Sequence, residues 1–152
     1  MRSLLRLLEA SPARIAQLWL AASSLVLLNG CMMFLKPPAD SEFSRTRISE
    51  HALYRATIKP AGDSIPQGKL HSWRLHLETA DSTAVDSATV AVFGGMPQHG
   101  HGLPTKPQVT RQLGGGDHLV EGMKFNMGGW WVVKFRVAAA AGTDTVVFNL
   151  KL

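Results

Sequence analysis

The chain has 152 residues, with 16 Lys and Arg against 11 Asp and Glu, a formal net charge of +5, and 45% of its residues hydrophobic. That length suits one ordinary domain, and the apolar share excludes wholesale disorder. The one Cys excludes an internal disulfide and a four-cysteine zinc site.

Arg2, Arg6 and Arg14 precede Ile15–Leu35, a stretch without Asp, Glu, Lys or Arg. Within it, Leu18–Leu28 (LWLAASSLVLL) follows the pattern of a secretory signal, a basic start and then an apolar body. Leu28-Asn29-Gly30-Cys31 resembles the lipobox of bacterial lipoproteins, which makes Cys31 the expected lipidation site. The rival reading is an uncleaved anchor. About 20 apolar residues cross a bilayer, and Met32–Leu35 prolong the apolar run. The arginines would then stay on the cytoplasmic side. Both readings make residues 1–35 a signal peptide or a transmembrane anchor helix. Both place the rest in the cell envelope, membrane-anchored, with the domain facing the periplasm or the cell exterior. Residues 1–30 carry three of the basic residues and one acidic residue, so 13 and 10 remain without them. No basic cluster is left, and nucleic acid is excluded as a partner.

Lys36–Arg47 is polar and led by Pro37-Pro38, the composition of a linker (36–47). A β-domain is expected over 48–152. Tyr54, Ala56 and Ile58 alternate with Arg55, Thr57 and Lys59. Trp73, Leu75 and Leu77 alternate with Arg74, His76 and Glu78. Ala88–Phe93, Gln108–Leu113 and His118–Phe125 are shorter strand candidates. Trp131, Val133, Phe135 and Val137 then share one face, as do Val146, Phe148, Leu150 and Leu152. Period-two alternation between Gly, Pro, Asp and Ser clusters predicts an all-β fold, an antiparallel β-sandwich of about seven strands. Trp73 and Trp131 are expected in its core. His51, His71, His76 and His118 read as surface residues.

Gly94–Pro107 (GGMPQHGHGLPTKP) reads as a loop. In extended backbone, residues two apart point the same way, so His99 and His101 can reach one point and Met96 can fold onto it. Imidazole with thioether suits copper, and Cu(I) in particular. A second stretch, Glu121–Trp131, supplies Met127 and Met123, Met123 being also a natural core filler. Trp130, on the polar face of its strand, would shield the site or meet a partner protein. No Gly-x-Ser-x-Gly elbow, HExxH pair or phosphate-cradling glycine loop occurs, so no enzymatic activity is expected.

The block Met96-Pro97-Gln98-His99-Gly100-His101-Gly102, with Gly122, Met123, Phe125, Met127, Gly129 and Trp131 after it, resembles the YtkA-like domain family, which is related to FixH-type proteins. The resemblance spans roughly residues 68–152. It implies an immunoglobulin-like sandwich, exported and tethered to a membrane. FixH-type members accompany a cation pump and the assembly of copper-containing cytochrome oxidase. The family pattern carries His where this chain has Asn126, so one potential ligand is missing here.

Two functions from different classes follow. One is a Cu(I)-binding envelope domain that uses Met96, His99, His101 and Met127, with Met123 a further candidate. The other is an envelope adaptor domain whose loop contacts a membrane or periplasmic protein partner without metal. The expectation at Cys31 is directly testable. Labelled palmitate enters the protein, and Cys31→Ser abolishes the labelling. An unlabelled chain of unchanged full-length mass would contradict it.

Overall fold

A computed structural model describes residues 36–152, so the signal or anchor segment and Cys31 lie outside the described residues. Strands are β1 (Thr46–Ile48), β2 (Tyr54–Pro60), β3 (His71–Thr79), β4 (Thr89–Met96), β5 (His101–Gly102), β6 (Gln108–Gly114), β7 (Asp117–Met123), β8 (Trp130–Ala139) and β9 (Gly142–Lys151). One 3-10 turn, Pro97–His99, joins β4 to β5. All pairing between these strands is antiparallel, in the order β1-β2-β3-β7-β6-β4-β8-β9, with β5 on β4.

The seven candidate segments, alternating or short, correspond to β2, β3, β4, β6, β7, β8 and β9. The two additions, β1 and β5, are three and two residues long, too short to display a period. β1 begins at Thr46, inside the stretch assigned to the linker. β4 runs three residues past Phe93, through Gly94, Gly95 and Met96, which the sequence assigns to a loop. Glycines carry no β signal, but the ladder to β8 continues through Gly94↔Val133 and Gly95↔Val132.

The core follows the alternation. Tyr54, Ala56 and Ile58, then Trp73, Leu75 and Leu77, then Trp131, Val133, Phe135 and Val137, then Val146, Phe148 and Leu150 are all buried. Each strand turns one face inward because its side chains alternate. His118 is a correction to the surface reading: it is fully buried on the inner face of β7, two residues before Val120. Its Nε2 lies 2.8 Å from the Val85 carbonyl, to which it donates.

The sheet almost closes on itself, like a barrel. β6 and β4 meet at a single bridge, Ala91↔Gln108. On the other side, the turn after β1 reaches β9, where Glu50 N–H donates to Thr145 O at 2.9 Å. The Tyr54 hydroxyl donates to Gly142 O at 2.6 Å. The clasp at this seam is Asp144, whose side chain is wholly buried. Its carboxylate accepts the backbone N–H of His51 (2.9 Å) and of Thr145 (2.8 Å), and its Oδ1 lies 2.9 Å from His51 Nδ1. Burial opposes the ionisation of Asp144. The hydrogen bonds from Ser49, His51 and Thr145 together outweigh it and hold the carboxyl well below the usual carboxylate range. The same hydrogen bond, and then the carboxylate's charge, raises His51.

Asp144→Asn removes the charge these donors meet. It should lower the unfolding free energy by about 2–4 kcal/mol, read as a lower urea midpoint at unchanged slope. A depressed carboxyl contributes stability above its unfolded pKa of about 4 and loses it as pH falls toward the folded value. The raised His51 works in the opposite sense, contributing below the ordinary imidazole range and losing that contribution as pH rises. The gap between wild type and Asp144→Asn therefore widens as pH falls through the imidazole range and narrows below about pH 4. A gap that stays constant from about pH 5, where His51 is already protonated, down to about pH 3 would contradict this assignment.

Candidate functional site

The Met/His segment is a tight return of the chain. Met96 ends β4, the 3-10 turn follows, and β5 comes back so that Met96 pairs with His101 and Gly95 with Gly102. Gly100 N–H donates to Met96 O at 3.1 Å across the turn. A Cβ at Gly95 would fall on the His101 carbonyl, so only glycine lets β5 lie this close to β4.

Directly opposed residues of an antiparallel pair present their side chains to the same face. Met96 and His101 therefore share one. Met96 is buried at 2% exposure, while His101 is exposed at the rim. The Met96 thioether methyl lies over the backbone of Gly129, where an added Cβ would strike it. Gly129 has φ +127°, a conformation open to glycine. The rings of His99 and His101 stack with centroids 5.9 Å apart. His101 also stands 5.7 Å from the Trp131 ring, near edge-on.

The remaining candidates divide. Met127 lies in the 124–129 loop beside this corner. Its carbonyl accepts Trp131 Nε1–H at 3.1 Å, and it is 38% exposed. Met123 is fully buried in the core, on β7 opposite His71. Trp130 is half-buried. Its indole N–H donates to Asn149 Oδ1 at 3.0 Å, and its backbone N–H to Gln98 Oε1 at 3.3 Å. Among the described residues no group of three or more His, Cys, Asp or Glu side chains is placed to hold a metal ion. An ion at this corner therefore has to draw on thioether as well as imidazole, a donor set that selects soft cations.

Two features were not read from the sequence. Trp131 serves the core, as expected, but it is also the neighbour of His101, a contact set by the β4–β8 register. His71, read as a surface residue, is half-buried, with its ring 5.7 Å from Phe125 and 6.2 Å from Trp73, and its buried Nε2 has no partner.

The family model for YtkA-like domains matches residues 50–136, more than half of the chain. The chain belongs to the YtkA-like family. The YtkA-like match takes in β2 through most of β8, and with them the Met96–His101 return and the 124–129 loop. No curated protein matches the chain. Among solved structures, a ZirS C-terminal domain is similar at 12% identity over 78% of this chain and 84% of that chain, with a TM-score of 0.37.

The close contact at Gly129 can be tested by a double-mutant cycle. Gly129→Ala should destabilise the YtkA-like domain by about 1–3 kcal/mol, through overpacking against Met96 and an unfavourable φ. Part of that cost should vanish in a Met96→Ala background, because the cycle isolates the contact. An equal cost in both backgrounds, measured by thermal or urea unfolding, would contradict it.

Proposed function

We propose that this YtkA-like domain binds Cu(I) at the corner formed by Met96, His99 and His101, as a non-enzymatic domain of the cell envelope. The observation that carries the reading is the cross-strand opposition of Met96 and His101, with His99 stacked on His101. A thioether and two imidazoles are the donor types that favour a soft monovalent ion over Mg²⁺ or Ca²⁺. Met127, exposed on the adjoining loop, is the natural further donor. The buried Trp131 indole, near edge-on to His101, backs the corner on its inner side. Met123 acts as core packing in this reading.

The envelope placement draws on the basic, then uncharged, N-terminal stretch that ends at Leu35. The two parts of the sheet, β1-β2-β3-β7-β6 and β4-β8-β9, enclose one core. That fits an immunoglobulin-like sandwich whose edges nearly meet.

The test is a Cu(I) titration of residues 36–152 under reducing conditions against a competing chelator, beside a variant carrying His99→Ala and His101→Ala. One equivalent should bind. Outer hydrogen-bond partners of metal ligands are worth about 10–100-fold in affinity, so loss of both imidazoles should cost more than about a hundredfold. Failure of the wild-type domain to compete with the chelator would remove the metal reading. The exposed Met127 and half-buried Trp130 would then stand as a protein-contact surface, the adaptor reading.

A further inference from the structure

The two ends of the sheet differ in charge. The register puts the segments 36–45, 61–70, 97–107, 124–129 and 151–152 at one end, because β2 ends at Pro60 opposite Trp73, β3 begins opposite Met123, and β8 begins opposite Lys151. Those segments hold six Lys and Arg against three Asp and Glu. Lys36, Lys69, Lys106 and Lys151 are exposed and Lys124 is half-buried. The turns at the far end, 49–53, 80–88, 113–117 and 140–143, hold Glu50, Asp81, Asp86 and Asp117 and no Lys or Arg.

The basic end also exposes large apolar side chains. Phe43 is 42%, Leu70 68% and Met127 38% exposed. The chain enters the described domain here, at Lys36, directly after the uncharged stretch Ile15–Leu35. The entering segment is tied to this end. Pro37 and Phe43 line a cavity of about 330 Å³ with Gln98, Gly129, Trp130 and Leu152. Asn149 Nδ2 donates to Glu42 O at 3.3 Å, and Arg47 pairs with Glu42. The tether therefore leads into the same end that carries the Met/His corner.

We infer that this end of the domain rests on an anionic lipid surface, with its lysines among the headgroups and Phe43, Leu70 and Met127 at the interfacial level. Lysines with exposed apolar and aromatic side chains are the composition that interfaces retain. The acidic far end points away from the same surface. The Met96–His101 return lies at this same end, beside the bilayer. The inference rests on the membrane-anchored reading and not on the metal.

The test places the full chain in lipid nanodiscs with methyl-labelled Met and Leu and a paramagnetic headgroup lipid. Each lysine near an anionic surface strengthens attachment about fivefold. Relaxation of the Met127 and Leu70 methyls should be at least about fivefold stronger in anionic discs than in zwitterionic ones. Leu113, exposed at the far end, should stay unaffected. The combined variant Lys69→Glu, Lys106→Glu, Lys151→Glu should lose the difference between disc types with Leu113 unchanged. Relaxation at Leu113 equal to that at Met127, or no difference between the two lipids, overturns this face while leaving the anchor standing. A chain that elutes free of the discs overturns the anchored reading and this face together.

Discussion

The packing of Trp131 joins the core to the candidate site. Its ring meets Phe125 near edge-on at 5.1 Å, and Phe125 in turn lies 5.8 Å from Trp73. Such pairs add about 0.5–1.5 kcal/mol beyond the area they bury. On the other side Trp131 receives His101, and its indole N–H fixes the loop that holds Met127. The Met/His corner is thus built against the aromatic core, although its histidines reach solvent.

Three backbones converge on that platform. Gly95 lets β5 lie against β4, and Gly129 leaves room for the end of Met96. A side chain at Gly95 would strike the β5 backbone at His101, and one at Gly129 would strike the end of Met96. The geometry explains why a Gly-rich segment here is a tight strand return. At the opposite end a different device does comparable work. Asp144 gathers donors from the turn after β1 and draws the two ends of the sheet together. A buried charge there is tolerable because several hydrogen bonds meet it.

Much of the fold is legible in the sequence because period-two alternation is strong wherever a strand has one buried face. Trp73, Leu75 and Leu77 or Trp131 to Val137 read correctly for that reason. β1 and β5 are too short to alternate, and the Gly94–Gly95 extension of β4 carries no side chains to read. His118 defeats the rule that histidines in alternating segments are surface, since the Val85 carbonyl satisfies it inside. At the site, the residue types of Met96, His99 and His101 are visible from composition and spacing. Their opposition across β4 and β5, and the part played by Trp131, depend on a register that lone spacing does not encode. Met123 shows the limit from the other side: its chemistry suits a ligand, but its strand face places it in the core.

In the proposed copper site, thioether and imidazole from the Met96–His101 return meet on a single ion. Copper K-edge absorption of the Cu(I)-loaded domain tests it most directly. A mixed nitrogen and sulfur shell is the predicted result, with the sulfur contribution falling in Met96→Leu, a volume-conserving change that keeps the core filled. A shell of nitrogen and oxygen alone, or a sulfur contribution unchanged in Met96→Leu, would contradict it.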